Sequence, residues 1–166
     1  MNVYLCKMTK AKMHEFYRAF SYDPAAMPGN DNSCYIYDAA TVDAYLEKHM
    51  RQGKIHFAIM LGNTVIGDVY LKNINAIDRF CTIAIHMAND TYKGHGYGTQ
   101  AEKLILAYAF QELEMQVVYA DTLVKNERSR HVLEKVGFSE IRRDNQSIYY
   151  EYHKSNWNDH REIDFT

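Results

Sequence analysis

Residues 80–100 read FCTIAIHMANDTYKGHGYGTQ: a strand, a glycine-rich bend and the opening of a helix in succession. Alternation sets the strand, Phe80–Met87. Cys81, Ile83, Ile85 and Met87 fall on one face and Thr82, Ala84 and His86 on the other. Beyond the bend, Ala101, Leu104, Ile105 and Tyr108 recur at i, i+3, i+4 and i+7, which predicts a helix over about Gly98–Leu113. Between the two, Gly94, Gly96 and Gly98 alternate. Glycine lets the backbone turn tightly and brings successive N–H groups to one anion. A helix start adds four unpaired N–H groups and about half a positive charge. One or two glycines would suffice for a turn; three in this setting point to a cradle for a phosphate or pyrophosphate.

Upstream, Val3–Met8 reads as a strand and Thr9–Phe20 as a helix capped by Thr9, with Met13, Phe16, Tyr17 and Phe20 on one face. Ser21–Ala40 holds both prolines, Pro24 and Pro28, and then Gly29-Asn30-Asp31-Asn32. Regular structure is not expected there, and so long a loop serves either as a lid or binding loop or as a surface excursion. Thr41–Gln52 is a second helix with Thr41 as its expected cap, and Lys54–Leu61 with Thr64–Ile74 forms a hairpin turning at Gly62-Asn63. Downstream come a strand (Gln116–Val124), a helix (Glu127–Val136) and an antiparallel pair (Phe138–Arg143, Ser147–Lys154). The order β-α-α-β-β-β-α-β-α-β-β means an α/β fold with a mixed sheet, antiparallel first and parallel around the central helix. One domain over residues 1–154 is expected, with a polar, frayed tail over 155–166.

Composition agrees with a single globular unit. The 166 residues are 47% hydrophobic and 24% charged, and a net charge of −2 leaves no electrostatic footprint for nucleic acid. Cys6, Cys34 and Cys81 form no CxxC pair, so neither a disulfide framework nor a zinc site is suggested. Met1–Lys12 lacks the apolar run of a secretion signal, and no segment approaches the length of a membrane span. A soluble, cytoplasmic protein is the expectation.

The phosphate compound is narrowed by context. GxxxxGK[ST] is absent. Gly96-Tyr97-Gly98-Thr99-Gln100-Ala101 fits G-x-G-x-x-A, with Asp121 near the place of a ribose-binding acid. In a dinucleotide fold, however, the strand runs straight into the first glycine. Here Ala88–Lys93 intervene, and a hairpin and two helices come first. A second cluster, Asn126–Phe138 (NERSRHVLEKVGF), starts at a strand-to-helix junction. Asn126 suits an N-cap and Gly137 a helix stop, but polar Ser129 heads the inward stripe of Val132, Leu133 and Val136. A ligand site is built at such a strand end.

These two clusters, at this separation, resemble the GNAT superfamily of acyl-CoA-dependent N-acetyltransferases. The bend is similar to its [Q/R]-x-x-G-x-G/A element, with Lys93 in the first place and Gly96 and Gly98 as the glycines. The second, N-x-x-S-x-x-x-L-x-K-x-G-F, looks most like the branch acting on ribosomal-protein N-termini and spermidine-like amines. The resemblance covers about Lys54–Tyr152 and implies acetyl-CoA as co-substrate, without a metal, and an amine acceptor; a homodimer is possible, and the oligomeric state is not fixed by the sequence. It implies that N–H groups over His95–Thr99 bind the CoA pyrophosphate. The strand before the bend splays from its parallel neighbour and pairs with pantetheine through Ile85, His86 and Met87. A main-chain N–H there faces the thioester oxygen. Lys93, Gly94, His95, Gly96, Tyr97, Gly98, Thr99 and Asn126 complete the cofactor set, and Ser129 lies near the sulfur. Lys93 keeps a cation but loses bidentate geometry. Leu133 stands where many members carry a tyrosine general acid.

Direct attack of a primary amine on the thioester is the implied chemistry. A thiol leaves readily as thiolate, so Ser129 or water suffices as the acid. An α-amine with a pKa near 8 is about one-tenth neutral at pH 7 and needs little help, whereas an alkylamine needs a base. His86 is the first candidate base, with Asp68, Glu140 and Glu151 behind it; His131 diverges from Ser129 around its helix. Tyr149, Tyr150 and Tyr152 suit a covered sheet face. Asp23, Asp31 and Asp38 in the long loop could draw a cationic acceptor. Two other classes remain open: a CoA-binding module without catalysis, and a dinucleotide oxidoreductase.

Overall fold

The computed structural model describes residues 2–29 and 34–158. Its elements are β1 (Tyr4–Lys7), α1 (Lys10–Ala19), α2 (Ala39–Arg51), β2 (Ile55–Leu61), β3 (Thr64–Asn75), β4 (Phe80–Met87), α3 (Tyr97–Gln111), β5 (Val117–Leu123), α4 (Glu127–Val136), β6 (Ser139–Arg143) and β7 (Ser147–His153). Across the sheet the strands run β1-β2-β3-β4-β5-β7-β6. Every neighbouring pair is antiparallel except β4 and β5, which are parallel and joined through α3. The expected α/β fold, with seven strands and four helices, is the one found.

Alternation along the strands assigns the two faces. Phe57, Ile59, Val69, Leu71, Cys81 and Ile83 join Ala101, Ile105, Leu106 and Phe110 of α3 and Leu133 and Val136 of α4 in the main core. Ala58, Met60 and Val65 turn the other way, onto Phe16 of α1. Burying these side chains on both faces is what fixes the strand register. Between β2 and β3 the register slips, Ile59 facing Gly67 and Met60 facing Val65. The extra residue, Ile66, is buried in the main core.

Gly67 has a packing reason: a Cβ there would lie 2.7 Å from the His86 carbonyl oxygen and 3.0 Å from Ile59 Cδ1. The closeness of β3 to the end of β4 depends on it.

Two local expectations change. Thr9 caps α1 as expected, its hydroxyl accepting from Lys12 N. Thr41 does not cap α2. The helix begins two residues earlier, and Asp38 caps it, accepting from Thr41 N at 2.8 Å and from the Thr41 hydroxyl at 2.6 Å. Aspartate and threonine are both good caps, and the one upstream captures the extra turn. In the stretch read as a polar tail, Lys154–Asn156 forms a 3-10 turn and Trp157 packs its ring 5.5 Å from that of Phe110. Residues 159–166 and Asp31 lie outside the described residues.

Candidate active site

The parallel pair opens. Phe80, Cys81 and Thr82 pair with Val117, Val118 and Tyr119, and the pairing stops there although β4 runs on to Met87 and β5 to Leu123. From Ile83 onward the edge of β4 facing β5 has no ladder partner. A cleft of two continuous lobes fills this opening. One lobe, of about 280 Å³, lies between Ile83–His86 and Ala120–Leu123. The other, of about 370 Å³, reaches the glycine bend and α4. Ala26, Ile85, His86, Glu102, Asn126 and Ser129 line both.

The bend presents backbone to the second lobe. Gly94 and Gly96 have φ of +81° and +79°, a left-handed conformation that side chains with a Cβ resist. Gly96 precedes α3 without any side-chain cap, and the first helical bond runs from Gln100 N to Gly96 O. The N–H groups of Tyr97, Gly98 and Thr99 therefore stand ahead of the ladder, at the positive end of the helix. Gly98 is different: its φ is ordinary and a Cβ would meet nothing within 4 Å. Neither backbone nor packing asks for glycine at 98, so what it leaves is room beside the N–H groups. That fits a diphosphate drawn close to the main chain.

Lys93 is not a free cation. Its ammonium meets Asp23 at 2.6 Å and Asp90 at 2.7 Å, and Arg128 of α4 stands 4.0 Å from each carboxylate. The Asp23 carboxyl, despite partial burial that works the other way, is held below its ordinary pKa by its hydrogen bonds to Lys93 and Ala25 N. This ion cluster ties the loop after α1 to the bend. Ser21 N donates to Ala88 O, and Lys125 Nζ reaches Gly29 O, so residues 21–29 cross the mouth from the end of β4 to the β5–α4 junction. The first half of this loop lies against the cleft, with Ser21, Asp23, Ala26 and Met27 on the wall of the second lobe. Asp23 and Asp38 are spent on Lys93 and on the α2 cap, rather than standing free for a cationic acceptor.

His86 projects from β4 on the face opposite α3, with its side chain 44% exposed. Its Nδ1 lies 3.0 Å from Oδ1 of Asp68, its cross-strand neighbour on β3. The other Asp68 oxygen takes His56 Nε2 at 2.6 Å. Asp68 is 1% exposed, so it is an anion enclosed by two imidazoles. Its burial disfavours the charge, yet the His86 charge and the hydrogen bonds from both rings outweigh that and lower its pKa. For His86 partial burial opposes protonation, and the Asp68 charge and hydrogen bond overcome it, so its pKa is raised above 6.5. With Nδ1–H committed to Asp68, Nε2 is the nitrogen left to take a proton.

Asn126 does cap α4, its Oδ1 accepting from Ser129 N at 3.1 Å, which leaves the amide NH2 as a donor on the cleft wall. Ser129, Ile85, Met87, Gly94, Tyr97 and Thr99 also line the second lobe, as does His131 despite its divergence from Ser129. The His95 side chain does not; it is exposed, its ring beside that of Tyr97. Leu133 is buried and lines the first lobe. Glu140 pairs with Arg143 and Glu151 with His153, and neither lines the cleft. Tyr150 is buried with its hydroxyl on Glu134, and Tyr152 lies against Gly137.

Comparison with known proteins settles the relationship. The family model for the acetyltransferase (GNAT) domain matches residues 2–139. The chain belongs to this family. Among relatives of the GNAT chain, it is 31% identical over 94 residues to spermidine N(1)-acetyltransferase of Escherichia coli K12, covering 56% of the chain and 50% of that protein. It is 27% identical over 120 residues to the Bacillus subtilis protein named "Putative ribosomal N-acetyltransferase YdaF", covering 72% of the chain and 65% of that protein. The matches thus span half to two-thirds of these relatives' length. In fold it is similar to a spermidine N-acetyltransferase SpeG chimera from Vibrio cholerae and hSSAT, with a TM-score of 0.76 at 18% identity over 93% of this chain and 97% of that one. A structure described as a probable acetyltransferase gives 0.76 at 20% identity, over 94% and 95%.

Sequence reasoning misses one pairing and one group in this candidate site. Asp68 was one of several candidate bases, not the partner of His86, because only the β3–β4 register brings the two together. Glu102 drew no attention beside the apolar stripe of α3.

Proposed function

We propose that the protein transfers the acetyl group of acetyl-CoA to a primary amine, a peptide N-terminus, a polyamine or another small amine, by direct attack. Family membership supports the reaction class, and the names of the relatives support an amine acceptor. The observation that carries the reading is the opening between β4 and β5. It joins an uncapped glycine bend to an imidazole backed by a buried carboxylate.

In this reading, the N–H groups around Gly96–Thr99 hold the diphosphate, with Gly94, His95 and Lys93 shaping the bend. The free edge of β4 over Ile85–Met87 pairs with the pantetheine arm, and an N–H there polarises the thioester carbonyl. Asn126 donates to the arm. Acetyl-CoA supplies an activated acyl carbon. The amine reaches it from the α1–α2 side, where His86 Nε2 takes the nitrogen's proton as the C–N bond forms and the C–S bond breaks. The departing thiolate takes a proton from water, directly or through Ser129, whose hydroxyl is reprotonated from solvent, and His86 releases the amine's proton to solvent. Leu133 offers no proton, and the low basicity of a thiolate makes a stronger acid unnecessary.

The test is a panel of amines, including peptides with free N-termini and polyamines, incubated with acetyl-CoA and read by mass spectrometry with parallel thiol release. Gain of one acetyl group with equal thiol supports the reading. Binding of acetyl-CoA without any acetylated product identifies a CoA-binding module instead.

A further inference from the structure

Glu102 lies in the second turn of α3, 1% exposed, and lines both lobes of the cleft. Its Oε2 has no hydrogen-bond partner among the described residues. A carboxyl in that condition costs folding free energy, and an apolar side chain would fill the space without the penalty. Burial alone pushes its pKa up to about 8, so at neutral pH it holds its proton. It is then a hydrogen-bond donor, not an anion.

Its place in the fold selects the partner. Asp68 and His86 approach the cleft from the α1–α2 face, whereas α3 packs on the other face, beneath β4. A group arriving from the His86 side meets the acyl carrier first, so Glu102 faces the carrier. The pantetheine arm offers amide and thioester carbonyls, which accept a hydrogen bond and would be repelled by a carboxylate. We infer that Glu102 binds the acyl-carrier arm as a protonated acid, donating its O–H to a carbonyl of pantetheine where the arm crosses between β4 and β5. This rests on the acetyl-CoA reading of the cleft. The charged and titratable groups facing it are Tyr70, Lys72, His86 and Asp121 around the first lobe, and Asp23, Tyr92, Lys93, Tyr97, Arg128, His131 and Lys135 around the second.

The experiment is calorimetric titration of acetyl-CoA, whose sulfur carries no titratable proton, between pH 7 and 9.5 without any amine. Capture by the protonated form alone predicts that wild-type affinity falls about 30-fold over this range. In Glu102→Gln, which keeps a donor and cannot ionise, affinity is near wild type at pH 7 and lacks that fall. Every other facing group is retained in the variant, so the difference between the two profiles belongs to Glu102. Should Glu102→Gln not fold, Glu102→Leu replaces it: weaker than wild type at pH 7 and without the 30-fold fall. Parallel profiles in wild type and variant would overturn the inference while leaving the cleft a CoA site. No binding of acetyl-CoA to the wild type at pH 7 overturns the function proposed above instead.

Discussion

Asp68 and His86 stand opposite one another on β3 and β4, and the buried carboxylate holds the ring by Nδ1 at 3.0 Å while also gripping His56 at 2.6 Å. The pair therefore fixes which imidazole nitrogen faces the cleft and how readily it takes a proton. In the proposed role of base His86 acts only when neutral, so kcat/KM should fall as pH drops through its raised pKa. Asp68→Asn removes the anion that raises it, and the acid limb should move to lower pH with a smaller plateau. His86→Ala should lose about 10²-fold with an alkylamine acceptor, and less with an α-amine. Profiles of kcat/KM against pH for the three proteins check this; an unmoved limb in Asp68→Asn removes the pair from the mechanism.

The same pair has a stability signature. The folded pKa of His86 lies above 6.5, so its pairing contributes fully below 6.5 and is lost as pH rises through the raised value. The folded pKa of Asp68 lies below 3.8, so its share is present above 3.8 and is lost as pH falls through the lowered value. Between those limits both act. Asp68→Asn should lower stability there by roughly 1–3 kcal/mol, because the buried His56 ring and the half-exposed His86 ring both lose a charged acceptor. The deficit should shrink on either side, as read by denaturant unfolding across pH.

Gly67→Ala tests how the strand end is held. The added Cβ meets a backbone atom, the His86 carbonyl oxygen at 2.7 Å, which cannot rotate away. Overpacking of this kind costs roughly 1–3 kcal/mol, and here it also displaces the strand that carries His86. Tm and kcat should fall together.

Much of this was legible because the strands alternate cleanly and the helices carry recognisable stops. Gly137, expected to end α4, does so with φ +121° and its N–H on Leu133 O. What could not be read was pairing. Asp68 and His86 become partners only through the β3–β4 register, and the β4–β5 split, which the family resemblance implies, cannot be placed from the residues alone because it depends on where two strands separated by α3 stop bonding. Glu102 was hidden for another reason. On a helix with one buried stripe it would face solvent, but α3 buries Glu102, Leu106 and Phe110 alongside Ala101 and Ile105, so a position that looks peripheral is interior. Asp38 and Thr41 show the limit of cap signals, since both are good caps and tertiary contacts decide between them.

Asp90 offers a charge test of the cleft mouth. It is 88% exposed and shares Lys93 with Asp23. Its removal takes one negative charge from the path of an anionic ligand and leaves Lys93 with a single paired carboxylate, Asp23. In Asp90→Asn, KM for acetyl-CoA should fall about twofold to fivefold at low salt, the scale of an exposed ion pair, and the gain should vanish as salt is raised.

The two glycines of the bend separate folding from binding. Gly96 needs its left-handed φ of +79°, so Gly96→Val should lose about 1–2 kcal/mol of stability as well as acetyl-CoA affinity. Gly98 has ordinary backbone angles and open space around its Cα. Gly98→Ala should therefore leave stability unchanged or raise it by up to about 1 kcal/mol, as alanine is the better helix former. Its methyl group nevertheless intrudes where a diphosphate would approach Tyr97, Gly98 and Thr99 N–H, and acetyl-CoA affinity should drop about tenfold or more, or ~1.4 kcal/mol. Thermal melts with calorimetric titration distinguish the two effects. A Gly98→Ala protein that binds acetyl-CoA as tightly as wild type would show that the space at 98 is not used by the ligand, and the cradle would have to lie elsewhere.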